Sequence, residues 1–174
     1  MTRGWWRRNA VALCALAVVV PATAAALTLP AWNDRHGALP SVPVTADAGD
    51  RVEFSGDLWG PATAEWAPAT ADGIEAPDGA RVLEVTVPVS PDDPPASCAP
   101  PILREDGGDG RQWNDTRPFS SFGPGGATSC DADADAPYTI VVSFILPDDA
   151  AGPFVVDIAP AEELPRFLRL PVAP

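Results

Sequence analysis

All but two of the chain's 22 prolines fall after Asn33, and their spacing leaves little room for a helix there. Each proline inside a helix costs about 3 kcal/mol, through a lost backbone hydrogen bond and a ring clash with the preceding turn. No stretch after Asn33 carries a sustained 3.6-residue apolar period. What these roughly 140 residues offer instead is short β-like runs separated by Gly, Pro and Asp. That length suffices for one domain with one core, not two.

The runs can be followed in order. Arg51-Val52-Glu53-Phe54 is the first, and Ala62 to Trp66 follows Leu58-Trp59-Gly60. Pro77-Asp78-Gly79 marks a turn before residues 81–89, where Leu83, Val85, Val87 and Val89 share one face and Glu84, Thr86 and Pro88 the other. Ile102-Leu103-Arg104 and Arg111-Gln112-Trp113 flank the turn-forming tract 105–110 and read as a hairpin. Residues 114–136 are loop-like. Tyr138 to Leu146 is apolar on both faces and is expected as a central strand. Phe154–Ile158 and Phe167–Leu170 complete the set. Pro-Asp-Asp at Pro91 and again at Pro147 ends a strong run each time, as a turn and not as a repeat. The pattern predicts an all-β, antiparallel β-sandwich of about seven strands in two sheets.

The N-terminus obeys other rules. From Ala10 to Pro30 no side chain is charged, and at about 1.5 Å of rise per residue that run reaches roughly 31 Å, the thickness of a bilayer's hydrocarbon core. Arg3, Arg7 and Arg8 precede it, no acidic residue appears before Asp34, and Trp5, Trp6 and Trp32 bracket it. Positive charge on the cytoplasmic side and indoles at both headgroup zones suit a full span. The rival is a signal peptide: Ala10–Val20 has the length of its hydrophobic core, and cleavage fits near Ala24 or Ala26. Apolar character continuing through Leu27 and Leu29 to Trp32 favours the retained anchor. Cys14 reads as a small apolar residue within the span. Residues 1–9 are then a cytoplasmic basic N-terminus, 10–32 a transmembrane helix, 33–49 a stalk and 50–172 an extracytoplasmic domain.

All 24 acidic residues lie after Asn33, against eight of the 11 arginines, so the exported part carries a formal charge of −16. Such a surface repels phosphate backbones, which disfavours nucleic acid as a partner. Every basic residue is arginine, and with abundant Ala, Pro, Gly and Asp this resembles the usage of high-GC bacterial genomes.

The run 81–89, then Cys98, Leu103, Gly110, Trp113 and Cys130, the strand Tyr138–Pro147, the closing Leu164-Pro165-Arg166-Phe167-Leu168-Arg169-Leu170 and the arginine-flanked anchor together resemble immunoglobulin-like domains of unassigned function in exported actinobacterial proteins. The resemblance implies a sandwich on a membrane stalk and carries no functional residues across. Cys98 and Cys130 stand closer together than the sheet-bridging cysteines of antibody domains.

Candidate chemistry is sparse. Cys98 and Cys130 are the only cysteines after the apolar run, and an oxidising compartment joins such a pair. Closing that loop stabilises by roughly 3–4 kcal/mol on the chain-entropy model. Asp131, Asp133 and Asp135 copy the opening of a calcium loop, but Ala136 replaces its glycine and Val142 its bidentate glutamate. A solvated acidic turn is the simpler reading. His36, the one histidine, falls in the stalk, so the domain has no imidazole base for a hydrolytic triad. Asp92/Asp93 and Glu162/Glu163 are adjacent acids on turns and do not suggest acid–base catalysis. Trp59, Trp66 and Trp113 are core and sheet-edge packing or, alternatively, an aromatic interaction platform. The sequence therefore leads to a membrane-anchored accessory or interaction domain of the bacterial envelope, non-enzymatic and without cofactor, that meets an unidentified envelope protein. The alternative is a secreted ligand- or calcium-binding module.

Overall fold

The computed structural model describes residues 3–37, 39–68, 76–92, 94–107, 110–116 and 126–174. It divides the chain into two units, Met1–Leu39 and Pro40–Pro174. The first is one helix, α1 (Arg3–Gly37). Its window Ala12–Leu29 has a mean hydropathy of 2.2 and is 0% buried, so it is long and apolar enough to cross a membrane. The hydroxyls of Thr23 and Thr28 donate to the carbonyls of Val19 and Ala24, each at 2.8 Å, which satisfies them inside the helix. The side chains of Trp5, Trp6, Trp32 and His36 lie outside the described ones.

The second unit is built from ten strands among its described residues: β1 (Val42–Thr45), β2 (Val52–Phe54), β3 (Asp57–Trp59), β4 (Thr63–Ala67), β5 (Ala80–Ser90), β6 (Ile102–Glu105), β7 (Gln112–Asn114), β8 (Tyr138–Pro147), β9 (Phe154–Ile158) and β10 (Arg166–Val172). One sheet runs β1-β10-β9-β6-β7, with β1 parallel to β10 and the other pairs antiparallel. In the other, β5 takes β3 and β4 in succession along one edge and β8 along its opposite edge, while β2 extends β3.

Two-residue periodicity makes the core. Leu83, Val85 and Val87 on β5 stand opposite Phe144, Val142 and Ile140 on β8, all fully buried. Leu103 on β6, Val156 and Ile158 on β9, and Leu168 and Leu170 on β10 face them from the other sheet. Each such side chain contributes about 1.5–3 kcal/mol relative to exposure. Trp59 closes this core from β3; it too is fully buried, and its indole Nε1 donates to the Phe54 carbonyl at 2.8 Å. The step from β3 to β4 needs Gly60: φ is +82°, its N–H donates to the Pro88 carbonyl, and a Cβ would meet the Asp50 carbonyl oxygen at 3.2 Å.

The all-β sandwich agrees with the sequence reading, and three details differ. Residues 33–49 are not simply a stalk: α1 continues to Gly37, and β1 pairs with β10 inside that stretch. Its Pro43 is tolerated because β1 is an edge strand. Among the described residues Tyr138–Leu146 pairs with a strand along one edge only, so it is not the central strand. That position belongs to β5, the strand paired along both edges. The other edge of β8 is bonded by the chain at Asp115, Thr116 and Ala127, through Ser143 and Val141. Finally, β1 and β3 add to the eight runs followed in the sequence and bring the described strands to ten; each is short, and neither alternates clearly in the sequence.

Candidate functional site

Because β1 and β10 are parallel, the end of the sandwich where the chain arrives also holds the start of β10, the ends of β9 and β7 and the start of β6. This near end carries the disulfide. Cys98 and Cys130 are joined, with their Cα atoms 5.0 Å apart. Cys98 bridges to Pro160 just beyond β9, and the Cys130 N–H points at the Cys98 sulfur at 3.1 Å. Next to it, the Tyr138 hydroxyl accepts from the Asp131 N–H at 3.2 Å. Burial pushes the Tyr138 phenol up from its ordinary value, against that hydrogen bond.

Asp57, fully buried on β3, accepts from the N–H groups of Asp92 at 2.9 Å and Ala96 at 3.1 Å. Both its oxygens hold the connection that leaves β5, so it is a structural carboxylate. A shallow groove of about 450 Å³ lies between that connection and the turn at Ala134 and Asp135, lined also by Pro91, Asp92 and Pro95. Asp131 accepts from the Asp133 N–H at 3.1 Å, a local turn that employs one of the three calcium-candidate carboxylates. Among the described residues no three His, Cys, Asp or Glu side chains come together as metal ligands. Asp93 and Asp109 lie outside the described residues.

The far end is closed differently. Phe154, buried at the start of β9, is met edge-on by Trp66 from the opposite sheet at 6.4 Å and by Trp113 at 6.1 Å between ring centroids. Arg81 lies over the Trp66 ring at 3.8 Å and donates to the Ala150 carbonyl at 3.2 Å. Arg111 lies 5.7 Å over Trp113, grips Glu105 through two nitrogens at 3.0 and 3.1 Å, and reaches Asp149 at 2.9 Å. Hydrogen bonds from Arg111 hold the Glu105 carboxyl below its usual range, and Glu105 in turn raises Arg111. The three tryptophans named from the sequence thus part company. Trp59 is core, while Trp66 and Trp113 flank one phenylalanine with their faces turned to arginines, so they do not form a bare stacking platform.

A third polar group crosses the outer face of the sheet β1-β10-β9-β6-β7. Asp157, with 8% of its side chain exposed, receives Arg169 bidentately at 2.8 Å on each oxygen and Arg104 at 2.7 Å. Hydrogen bonding to Asp157 raises Arg169. Sequence reasoning missed this group and Asp57. The available signal was parity: Asp157 and Arg169 occupy outward positions in alternating apolar runs, where opposite charges on paired strands can meet.

Comparison of the chain with family models, curated proteins and solved structures finds no match.

Proposed function

We propose that this chain is a single-span protein of the bacterial envelope, with its N-terminus in the cytoplasm, that holds a disulfide-closed, immunoglobulin-like sandwich outside the membrane as a binding or accessory domain. The observation that carries the reading is α1, whose apolar window Ala12–Leu29 is 0% buried. Arginines before that window and acids after it favour the stated orientation. The Cys98–Cys130 bond suits an oxidising compartment.

The immunoglobulin-like assignment is supported by strand order. β4-β5-β8 face β10-β9-β6, as strands A-B-E face G-F-C in that fold, and β1 adds in parallel beside β10. A binding role rather than a catalytic one is favoured by how the buried acids are used. Asp57 and Asp157 are each saturated by donors, and neither is held in reserve for proton transfer. Anchoring raises the effective concentration at which a membrane-borne partner meets the domain.

The test is fractionation of cells expressing the full chain with a C-terminal tag. Full-length mass, resistance to alkaline extraction and digestion of the tag by external protease are expected. A soluble product whose N-terminus follows Ala24 or Ala26 would replace the anchor with secretion.

A further inference from the structure

The two outer faces of the sandwich carry opposite charge. On the sheet β1-β10-β9-β6-β7 the outward positions hold three charged residues, Arg104, Asp157 and Arg169, a net of one positive charge within a strongly acidic unit. On the sheet built around β5 the outward positions hold Glu53, Glu65 and Glu84 and no arginine.

Glu65 and Glu84 are register partners, directly opposite one another on β4 and β5. Side chains so placed sit about 5 Å apart at Cβ, and like charges there are destabilising. Neither has an ion-pair partner among the described residues. On the other face, Arg104 uses only Nε on Asp157, and Arg169 uses Nε and Nη2. Arg104 therefore keeps two nitrogens and Arg169 one without a protein acceptor, on side chains that are 37% and 26% exposed at outward positions of the sheet.

We propose that copies of this chain associate side by side through these unlike faces, the free guanidinium nitrogens of Arg104 and Arg169 on one copy bridging Glu65 and Glu84 of the next. The match is chemical. A pair of carboxylates at sheet spacing lacks a cation, while the Nη1/Nη2 fork of Arg104 and the Nη1 of Arg169 lack acceptors. A purely basic partner would leave the arginine face unused, and a purely acidic one the glutamate pair. The proposal rests on the anchored reading given above, which also answers the objection from net charge. Freely diffusing copies repel one another, but copies held in one membrane meet at high effective concentration, and charges beyond about 8 Å are screened at physiological salt. Contact between unlike faces is heterologous, so it builds rows or rings and not two-fold symmetric dimers.

The test is energy transfer between donor- and acceptor-tagged full-length chains in liposomes, with the tags at the C-terminus. Vesicles are floated first, so that failure to insert counts against the anchor and leaves the lateral contact to be judged on floated material alone. Transfer above random encounter is expected for the unaltered chain. Arg104→Glu alone, or Glu65→Arg with Glu84→Arg, abolishes it. Mixing those two variants restores it, because each then offers the face the other needs. Arg104→Gln, which leaves Asp157 paired with Arg169, weakens association about tenfold and guards against misfolding of the charge reversal. Transfer at the random level in the unaltered chain, or no restoration in the mixture of folded variants, overturns the proposal.

Discussion

The near end of the sandwich is closed by a covalent bond and a buried carboxylate; the far end is closed by rings and guanidinium groups. At the near end, Cys98–Cys130 and Asp57 tie irregular chain to the strands. At the far end, Trp66 and Trp113 reach Phe154 from two sides, and Arg81 and Arg111 cover the tryptophans in turn. The difference teaches where this small domain places its risk. A disulfide acts mainly on the unfolded chain, so the near end tolerates polar, proline-rich connections. Ring packing acts only in the folded state, so the far end depends on shape.

Substitutions should separate the two strategies. The largest effect belongs to Cys98→Ala with Cys130→Ala, expected to cost about 4 kcal/mol by denaturant unfolding, given a sequence separation of 32. A loss below about 1 kcal/mol would mean that the near end stands without its bond. Asp57→Ala leaves two backbone donors without acceptors and should cost about 3 kcal/mol, with the disulfide still formed by mass. Trp66→Ala should cost about 2 kcal/mol and Arg81→Ala about 1 kcal/mol. Measured together they should be less than additive, because the guanidinium rests on the indole. Strict additivity would separate the arginine from the ring.

The smallest effects are protonic, and they differ in sign between the ends. Tyr138 is the chain's one tyrosine, so its ultraviolet titration is unambiguous. Its phenolate should appear above the ordinary value near 10, since burial favours the neutral form. The unfolded chain then loses that proton first, and the near end loses stability as pH rises past about 10. Glu105 has the opposite sign: its lowered value favours the folded state above the ordinary carboxylate range, near 4.3, and that contribution fades as pH falls below it. Glu105→Gln should remove that part of the acid sensitivity and leave the alkaline part intact.

Much of this was legible in the residues. Leu83, Val85, Val87 and Val89 alternate with Glu84, Thr86 and Pro88, and the burial follows, the first set buried and the second partly exposed. The hairpin after β6 closes as its glycine-rich tract implies, with the Glu105 N–H donating to the Arg111 carbonyl. The Cys98–Cys130 pair was fixed by elimination once Cys14 fell within the apolar run. Less could be read where partners are distant in sequence. Val42–Thr45 looks like linker because its pairing is with Arg166–Arg169, far along the chain, and carries no local signature. Double-sided burial of Tyr138–Leu146 reads as a central strand, although among the described residues it pairs with a strand along one edge only. Asp57 and Asp157 look like ordinary surface acids until register brings donors to them.

As proposed above, the apolar helix delivers the acidic domain to an oxidising compartment while staying in the membrane. Quantitative thiol alkylation of the full-length chain, denatured from the membrane fraction without reductant, tests this directly. One modified cysteine of the three is expected, at Cys14, rising to three after reduction. Three modified cysteines before reduction, on a chain recovered from the soluble fraction of the cytoplasm, would contradict it.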